Sequence, residues 1–463
     1  MTPPSNTATR DIETLIHPYT NLDAFRETGP TIFNRGSGIH VYDDTGKEYI
    51  EGMSGLWCAS LGFDEPELME AAVAQMKALP YYHQFSGKSQ EPGIELAERL
   101  KDMAPVPISK VLFSTSGSEA NDTQIKLAWY YNNARGKPKK KKIISRQKAY
   151  HGVTIASASL TGLPPLHNDF DLPMQGVLHA DCPHYYRFAE PGETESEFTD
   201  RLAANLEDLI EKEDPETIAA FIAEPVMGAG GVIVPPADYF PKIRPILDKY
   251  DIIFISDEVI CGFGRTGNMF GSQTFNMNPH TLSVAKALTG AYLPMSAVLI
   301  PEFIYDAMLA ESRKLGVFGH GFTWGGHPVC AAVANRTLQI YEERQIVKHV
   351  QSVSPTFASR LAAMADHPLV GETQFVGLLG VAELVADKST KRSFDASQMV
   401  GAKCAQFAQD EGLIVRNLAG DRIAFCPPLI MTDADIAEMM DRFERALQKT
   451  EAWAAQEGLR TGT

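Results

Sequence analysis

The sequence predicts an α/β protein whose central sheet is mainly parallel. Short apolar runs alternate with stretches of helical period through the middle of the 463-residue chain, a pattern typical of repeated strand and helix units. Between two of these runs, apolar side chains recur on one helix face at Phe198, Leu202, Leu206 and Leu209. The predicted strands are residues 110–113, 142–145, 218–223, 252–256, 282–285 and 296–300.

The domain organisation is predicted from the length and from the ends of the chain. A chain of 463 residues favours two or three domains, and no internal repeat or Ser/Gly-rich linker divides it. We assign residues 76–325 to a large α/β domain, and we expect residues 1–75 and 326–463 to form a smaller α+β domain. Near the C-terminus, Thr432 and Asp435 have the spacing of a capping box and precede an amphipathic helix.

Composition and charge favour a protein that acts on small molecules. Lys and Arg total 42 against 58 Asp and Glu, and the net charge of -16 argues against nucleic acid or an anionic membrane as partner. The six cysteines are widely separated and form no C-x-x-C pair, so we predict neither a disulfide framework nor a metal site. Residues 1–10 are polar and unlike a signal peptide, which together with the cysteines predicts a cytoplasmic location.

A phosphate-binding turn is the first candidate site. Ser116, Gly117 and Ser118 lie between a predicted strand and a predicted helix. A Gly/Ser turn at a helix N-terminus offers free N–H groups, hydroxyls and the positive end of the helix dipole to an anion. Taken alone, the serines are equally explained as ordinary helix caps.

Two carboxylates follow the apolar strand at 252–256. Asp257 and Glu258 are therefore expected at the carboxyl edge of the sheet, where open α/β sheets bind their ligands. A magnesium site of an ATPase would also place acids there, but it requires a P-loop. The nearest match, at residues 87–89, has Tyr82 where the P-loop needs glycine.

Residues 262–267 match the dinucleotide pattern G-x-G-x-x-G. The pattern is weak alone and requires an acid about 20 residues further on, yet residues 268–301 contain no Asp or Glu. We therefore do not predict a nicotinamide site. The glycines are interpreted as residues that let the backbone turn tightly beside a ligand.

Lys286 follows the predicted strand at 282–285. An ammonium at the end of a core strand is costly to desolvate, and a pKa lowered in this way would make it a Schiff-base nucleophile. Taken alone, Lys286 is equally well explained as a snorkelling surface lysine. Flat aromatic side chains occur at Trp57, Phe85 and Tyr150. Together, a phosphate turn, a strand-end acid, a strand-end lysine and a stacking aromatic are the contacts that pyridoxal phosphate needs.

These residues resemble the class III aminotransferases, which are pyridoxal-phosphate enzymes of fold type I. The resemblance extends over residues 30–450 and is closest to the omega-transaminases of the amine:pyruvate type. One departure is the segment after Lys286, residues 287–291, where many members carry two or three glycines; it weakens any transfer of substrate preference from the ornithine and 4-aminobutyrate branches. The matching stretches are residues 256–267 with Lys286 downstream, and residues 116–121, 150–152, 224–228 and 321–323.

The resemblance implies a role for each cofactor-site residue. Lys286 would form the Schiff base with pyridoxal 5'-phosphate, and Asp257 would pair with its pyridine nitrogen. Tyr150 and Ile260 would contact the two ring faces, with His151 and Glu224 beside them. Ser116, Gly117 and Ser118 would bind the phosphate, together with Thr323 from a partner subunit. The last contact implies a homodimer with shared active sites; a tetramer is left open.

The resemblance also implies a substrate pocket and a reaction. Arg416 would pair with a carboxylate and swing away for an apolar substituent. The reaction would be a ping-pong transfer of an amino group from a primary amine or omega-amino acid to a keto acid such as pyruvate. Alternatives are a diamine, beta-alanine or taurine aminotransferase, or an aminomutase. Besides Arg416, the residues expected to line the pocket are Leu56, Trp57, Phe85, Tyr150, Val153 and Ala229.

Overall fold

The computed structural model describes residues 6–459 of the chain. Residues 1–5 of the polar N-terminal stretch and residues 460–463 lie outside this range. No helix within the described range is both long enough and apolar enough to cross a membrane.

The strands, in chain order, are β1 (Phe33–Ser37), β2 (His40–Asp43), β3 (Glu48–Glu51), β4 (Lys110–Ser114), β5 (Lys142–Arg146), β6 (Val177–Ala180), β7 (Ile218–Ala223), β8 (Ile253–Asp257), β9 (Thr281–Val284), β10 (Ser296–Ile300), β11 (Val370–Val376), β12 (Leu379–Leu384), β13 (Leu413–Ile414), β14 (Arg416–Leu418) and β15 (Arg422–Phe425).

The α-helices are α1 (Asn6–Thr14), α2 (Leu22–Thr28), α3 (Ser54–Trp57), α4 (Pro66–Ala78), α5 (Glu91–Met103), α6 (Gly117–Ala134), α7 (Ile155–Leu160), α8 (Tyr185–Phe188), α9 (Glu195–Lys212), α10 (Tyr239–Lys249), α11 (Gly271–Thr274), α12 (Glu302–Leu315), α13 (Pro328–Glu343), α14 (Ile346–Ala363), α15 (Val400–Asp410) and α16 (Asp433–Gln456).

The central sheet has seven strands in the order β4-β10-β9-β8-β7-β5-β6. Its pairs from β9 to β6 are parallel, whereas β10 runs antiparallel to both β9 and β4. Every residue of β7 and β8 is buried, as expected for strands covered by helices on both faces. The predicted α/β class with a mainly parallel sheet is confirmed.

The two helices predicted from periodicity are present, and each begins with a capping box. In α9, Thr194 and Glu197 cap each other, and the helix buries Phe198, Leu202 and Leu206 against the core while Leu209 is half-buried. In α16, the N–H of Thr432 donates to Asp435 Oδ2 at 2.8 Å, and the N–H of Asp435 donates to Thr432 Oγ1 at 3.2 Å.

Two smaller sheets flank the central one. One has the order β1-β2-β3-β13, and the other β11-β12-β15-β14. Because β3 pairs in parallel with β13, a segment near the start of the chain shares a sheet with one near its end. The domain boundaries at residues 75 and 325 stay a prediction.

The order of the central strands places the chemically important residues together. Strands β8 and β9 are neighbours, with Asp257 paired opposite Ser283, so Asp257 and Lys286 end at the same edge of the sheet. Helix α6 begins directly after β4 and opens at Gly117. The carboxyl edge of the sheet is where parallel α/β proteins bind their ligands.

Candidate active site

A cavity of about 870 Å³ lies at the carboxyl edge of the central sheet. We divide its lining into two parts. The floor comes from strand ends, from the loops that follow β5 and β8 and from the start of α6, and includes Ser116, Gly117, Ser118, Asn121, Tyr150, His151, Asp257, Ile260 and Lys286. The wall comes from loops, among them the irregular segment 53–58 that contains the short α3, and from the start of β14, and includes Pro18, Tyr19, Leu56, Trp57, Cys58, Ala229 and Arg416.

Asp257 is the most firmly held side chain of the floor. Its Oδ2 accepts a hydrogen bond from Asn121 Nδ2 at 2.7 Å and lies 2.7 Å from His151 Nδ1. Its Oδ1 accepts from the N–H of Val259 at 3.1 Å. Asn121 also donates to the carbonyl of His151 at 2.7 Å. Asp257 is only 3% exposed, so this network holds a buried carboxylate in one orientation towards the cavity.

Lys286 approaches the same space from the neighbouring strand. It follows β9 with a left-handed φ of 51°, and it begins a short 3₁₀ turn that ends at Gly290. Burial lowers the pKa of its ammonium, against the opposing effect of Asp257. Among residues 6–459, the Nζ atom of Lys286 has no hydrogen-bond or ion-pair partner. The structure therefore presents an amine that loses its proton more easily than an ordinary lysine and is free to react.

The start of α6 forms a preorganised anion cradle. Ser116 caps the helix, with its Oγ accepting from the N–H of Glu119 at 3.2 Å. Glu119 Oε2 in turn accepts from both the N–H and the Oγ1 of Thr115 at 2.7 Å. A Cβ added at Gly117 would lie 3.1 Å from both Val259 methyl groups. Capping and anion binding are therefore compatible, since capping leaves N–H groups of the first turn facing the cavity.

Glu224 supports the floor from behind. Its Oε1 accepts from the N–H of Tyr150 at 3.0 Å and its Oε2 from the N–H of Gly228 at 2.9 Å. Burial raises the pKa of this carboxyl. Gly228 lets Ile260 pack closely, because a Cβ there would lie 2.4 Å from Ile260 Cδ1 and the side chain of Ile260 would have to shift. Glu224 thus fixes the backbone beside Tyr150 and Ile260, the residues expected to contact the two faces of a flat ring.

The wall contains a guanidinium without a counter-ion. Arg416 is half-buried at the start of β14, and burial lowers its pKa. No carboxylate of the described chain lies within ion-pair distance of it. Instead the electrostatic neighbours of Arg416 are Tyr150 and Tyr19, whose hydroxyls are 3.2 Å apart. An unpaired cation at a cavity surface is suited to a ligand carboxylate.

Several predicted pocket residues lie outside this cavity. Phe85 and Val153 are 45% and 61% exposed, and Thr323 is also exposed. Val153 is close to the cradle, because its N–H donates to Ser118 Oγ at 3.1 Å. Phe85 and Thr323 instead lie together on the surface. The pocket roles of these residues stay predictions.

Comparison with known proteins identifies the family. The class-III aminotransferase family model matches residues 24–447. The chain belongs to the class III aminotransferases. It is 51% identical over 438 residues to gamma aminobutyrate transaminase 1, mitochondrial, of Solanum lycopersicum, which covers 94% of this chain and 85% of that protein.

Solved structures of class III aminotransferases resemble it equally well. The omega transaminase of Pseudomonas jessenii in complex with PMP is 53% identical, with a TM-score of 0.96, covering 97% of this chain and 99% of that one. A thermostable omega transaminase variant with a tryptophan, a phenylalanine and an arginine replaced, engineered for the asymmetric synthesis of enantiopure bulky amines, is 52% identical, with a TM-score of 0.95 and 96% and 99% coverage.

Class III aminotransferases use pyridoxal phosphate, and the floor of this class III chain fits that cofactor. The start of α6 suits a phosphate, Asp257 suits a ring nitrogen and the free amine of Lys286 suits an aldehyde. His151 Nε2 and Asn121 Oδ1 are buried without hydrogen-bond partners in the described structure, as expected beside a group that is bound in the working enzyme. The chain is a pyridoxal-phosphate-dependent aminotransferase.

Sequence reasoning missed part of this class III site. Asn121 was recognised only as part of a motif, although it joins Asp257 to His151. Tyr19 and Cys58 were not identified, and both line the cavity. For Tyr19 the sequence offers no local signal, since it precedes the first strand by more than ten residues. Its position depends on packing between distant segments.

Proposed function

We propose that this enzyme transfers the amino group of a primary amine, including amines without a carboxylate, to pyruvate by a ping-pong mechanism. The observation that carries the proposal is the composition of the wall. It combines the unpaired guanidinium of Arg416 with the apolar surfaces of Leu56 and Trp57. One cavity can therefore receive a keto acid through its carboxylate and an amine through an apolar substituent.

The floor residues would act in both half-reactions. Pyridoxal phosphate supplies an electron sink that stabilises negative charge on the substrate carbon. The Nζ of Lys286 would take the proton from the substrate carbon that carries the amine and return a proton in the second half-reaction. Asp257 would hold a proton on the ring nitrogen of the cofactor, because Asn121 and His151 keep its carboxylate in place. The α6 cradle would anchor the phosphate.

Arg416 would distinguish the two substrates by moving. With a carboxylate present, the guanidinium can form a bidentate pair in a half-buried site, where such pairs are strong. With an apolar amine, the same side chain would have to leave the cavity. No carboxylate of residues 6–459 holds it in place, which supports such a movement.

A second candidate donor is 4-aminobutyrate. The observation that favours it is the 51% identity to an enzyme named gamma aminobutyrate transaminase. The amine:pyruvate assignment is supported instead by the engineered omega transaminase variant, which was changed at a tryptophan, a phenylalanine and an arginine. Trp57 and Arg416 are residues of two of these types in the lining of the cavity of this chain, and Phe85 is a phenylalanine outside that lining.

We also propose that two copies of the chain share their active sites. Phe85 and Thr323 are two of the three predicted site residues outside the cavity of their own chain, and both contact the same surface region. Tyr81 Oη donates to the carbonyl of Thr323 at 2.8 Å, and Phe85 packs against Gly321, where a Cβ would lie 3.2 Å from the ring. Exposed aromatic side chains cluster there, including Tyr82 at 43% and Trp324 at 64%. Such a surface favours contact with a second copy.

Two measurements test the proposal. Alanine formation from pyruvate is followed with 1-phenylethylamine or 4-aminobutyrate as donor. We expect turnover with 1-phenylethylamine. Turnover with 4-aminobutyrate alone would replace the donor assignment. Conversion of an amine without consumption of pyruvate would indicate an aminomutase. Light scattering should give at least twice the 50.8 kDa mass of one chain, and a monomer would contradict the shared site. The cytoplasmic location stays a prediction, since relatives are named mitochondrial.

A further inference from the structure

We propose that Glu51 is a positioning residue that holds the loop at residues 53–58, and thereby determines how well the enzyme accepts bulky apolar amines. This inference rests on the proposed function, because the loop supplies Leu56 and Trp57 to the wall. Glu51 itself does not line the active-site cavity and touches no reacting atom. It acts through the backbone of the loop.

The side-chain hydrogen bonds of Glu51 both go to this loop. It ends strand β3, and its Oε1 accepts from the N–H of Met53 while its Oε2 accepts from the N–H of Gly55, both at 2.8 Å. Glu51 is 5% exposed. Within the described range no Lys, Arg or His pairs with it, so its two strong acceptors serve the loop alone.

The loop needs such support because its backbone is strained. Ser54, Gly55 and Trp57 have φ values of 48°, 65° and 66°, in the left-handed region that side chains other than glycine disfavour. Leu56 also departs from helical geometry. The result is an unusual presentation: Trp57 is 3% exposed whereas Leu56 beside it is 56% exposed. A conformation of this kind persists only where surrounding contacts fix it.

A second anchor lies on the other side of the loop. Ser54 Oγ donates to the carbonyl of Cys426 at 2.7 Å. Arg265, which is 2% exposed, donates to Ser54 Oγ at 3.4 Å and to the carbonyls of Leu378 and Pro427 at 3.0 and 2.5 Å. This gives the G-x-G-x-x-G segment a structural role away from any ligand. Glu51 and Arg265 therefore both hold the first half of the loop, Glu51 at Met53 and Gly55 and Arg265 at Ser54.

The ionisation of Glu51 makes the idea testable by pH. Burial raises the pKa of this carboxyl to about 7. The ionised form offers two acceptor oxygens, whereas the protonated form turns one of them into a donor that opposes an N–H group. The charged and titratable groups around Glu51 are the thiols of Cys58 and Cys426, with Lys286 beside Cys58 and Arg265 beside Cys426, and the guanidinium of Arg35, which lines a second cavity together with Glu51. Loop protection should therefore fall as the pH drops through about 7.

The test compares Glu51→Gln with Glu48→Gln in the cofactor-loaded enzyme. Gln keeps the shape of Glu51 but offers one oxygen, so it imitates the protonated state. Glu48 is a matched control, because it begins the same strand, is exposed and bonds only surface groups. The readouts are hydrogen exchange of residues 53–58 at pH 8, and kcat/KM with 1-phenylethylamine and with isopropylamine as the small donor.

We expect Glu51→Gln to increase exchange in residues 53–58 about 10-fold or more, the effect of losing a hydrogen bond to a charged group. We expect kcat/KM to fall by a similar factor for 1-phenylethylamine and by less than about 3-fold for isopropylamine, whose substituents are too small to depend on the loop. Glu48→Gln should change neither the exchange of residues 53–58 nor kcat/KM. Glu51→Asp keeps the charge, so its effects on exchange and on kcat/KM should be smaller than those of Glu51→Gln.

The inference would be overturned if Glu51→Gln left the exchange of residues 53–58 unchanged, or if it lowered kcat/KM equally for both amines. If Glu51→Gln fails to fold, exchange of the wild-type loop at pH 6 and pH 8.5, each corrected for intrinsic rates, decides instead: equal protection contradicts the inference. Failure of the proposed function would look different. The wild-type enzyme would then turn over neither amine, while the exchange comparison would still show whether Glu51 holds the loop.

Discussion

The floor and the wall of the cavity are built by different means. Floor residues stand at strand ends, in loops that follow strands or in the first two turns of an 18-residue helix, and Asp257 has three hydrogen-bond partners while only 3% exposed. Wall residues stand on loops and on a short strand. Tyr19 and Leu56 are 58% and 56% exposed, and Arg416 lacks a counter-ion in the described chain.

The difference suggests that the floor carries out the reaction and that the wall selects the substrate. Groups that transfer or hold a proton during the reaction need fixed positions, and a packed sheet edge with paired polar groups fixes them. Groups that receive varied substituents benefit from space and from a cation that is free to move. Changes in the floor should therefore affect all donors alike, whereas changes in the wall should alter the ratio between donors.

Lys286→Ala is the largest expected effect. Loss of the amine that moves the proton should lower kcat roughly 10³- to 10⁴-fold for every donor. Steady-state rates with 1-phenylethylamine and with alanine measure it. The matched control is Lys101→Ala, at an exposed lysine in the last turn of α5, and it should leave kcat unchanged. A loss of kcat for one donor only would contradict the claim that floor residues serve all donors alike.

Asp257→Asn tests the held carboxylate. The neutral amide cannot balance a charged ring nitrogen, and its NH₂ group would oppose the donor from Asn121 or His151. We expect kcat to fall about 10²- to 10³-fold for all donors while the protein stays folded. Full activity with an unchanged absorption spectrum would show that this carboxylate does not act on the cofactor.

Arg416→Ala tests the wall. Removing the guanidinium should lower kcat/KM for alanine and pyruvate about 10- to 100-fold, the effect of losing hydrogen bonds to a charged group. The half-reaction with 1-phenylethylamine should change less than about 3-fold, because that amine has no carboxylate. Equal losses for both would remove the carboxylate role of Arg416.

Gly117→Ala tests the close fit of the cradle. The new methyl group would lie 3.1 Å from both Val259 methyls, so the turn or Val259 must shift. We expect affinity for pyridoxal phosphate to weaken about 10-fold, measured by equilibrium titration. Adding Val259→Ala removes the obstacle and should restore much of the affinity, and the absence of any rescue would place the effect elsewhere.

Tyr19→Phe is the smallest expected effect. It removes the hydroxyl that donates to Tyr150 at 3.2 Å and leaves the ring in place. We expect kcat/KM for alanine to change by about 2- to 10-fold and kcat/KM for 1-phenylethylamine to change less, since the pair borders Arg416. Tyr42→Phe, which removes a hydroxyl bonded to Glu48 outside the cavity lining, serves as the control. Identical changes for both donors would assign Tyr19 to folding rather than to selection.

The fold was predictable where hydrophobic runs were long. The run at 218–223 coincides with β7, and β8 begins one residue later than predicted and includes Asp257. The direction of β10 was not predictable from its apolar residues. It is antiparallel because residues 285–295, which connect it to β9, are too few for a parallel crossover. The strands of the small sheets were not predicted individually, and the pairing of β3 with β13 joins segments near the two ends of the chain, which no local pattern signals.

The site divides in the same way. Lys286 and Asp257 could be predicted because a charged residue directly after a buried strand is a local signal. Arg416 was accessible only through the family resemblance, since an arginine on a short strand is ordinary in itself. Tyr19 was not accessible at all. Phe85 and Thr323 are exposed and do not line the cavity of their own chain, so no single-chain argument could place them in a site.

The most direct test of the account is the visible absorption spectrum of the purified enzyme before and after adding 1-phenylethylamine. We predict a yellow band from the protein-bound cofactor that this carboxylate-free amine bleaches, because the floor reacts and the wall admits the apolar substituent. A band that only amino acids bleach would contradict the role given to the wall. A colourless protein that pyridoxal phosphate cannot restore would contradict the role given to the floor.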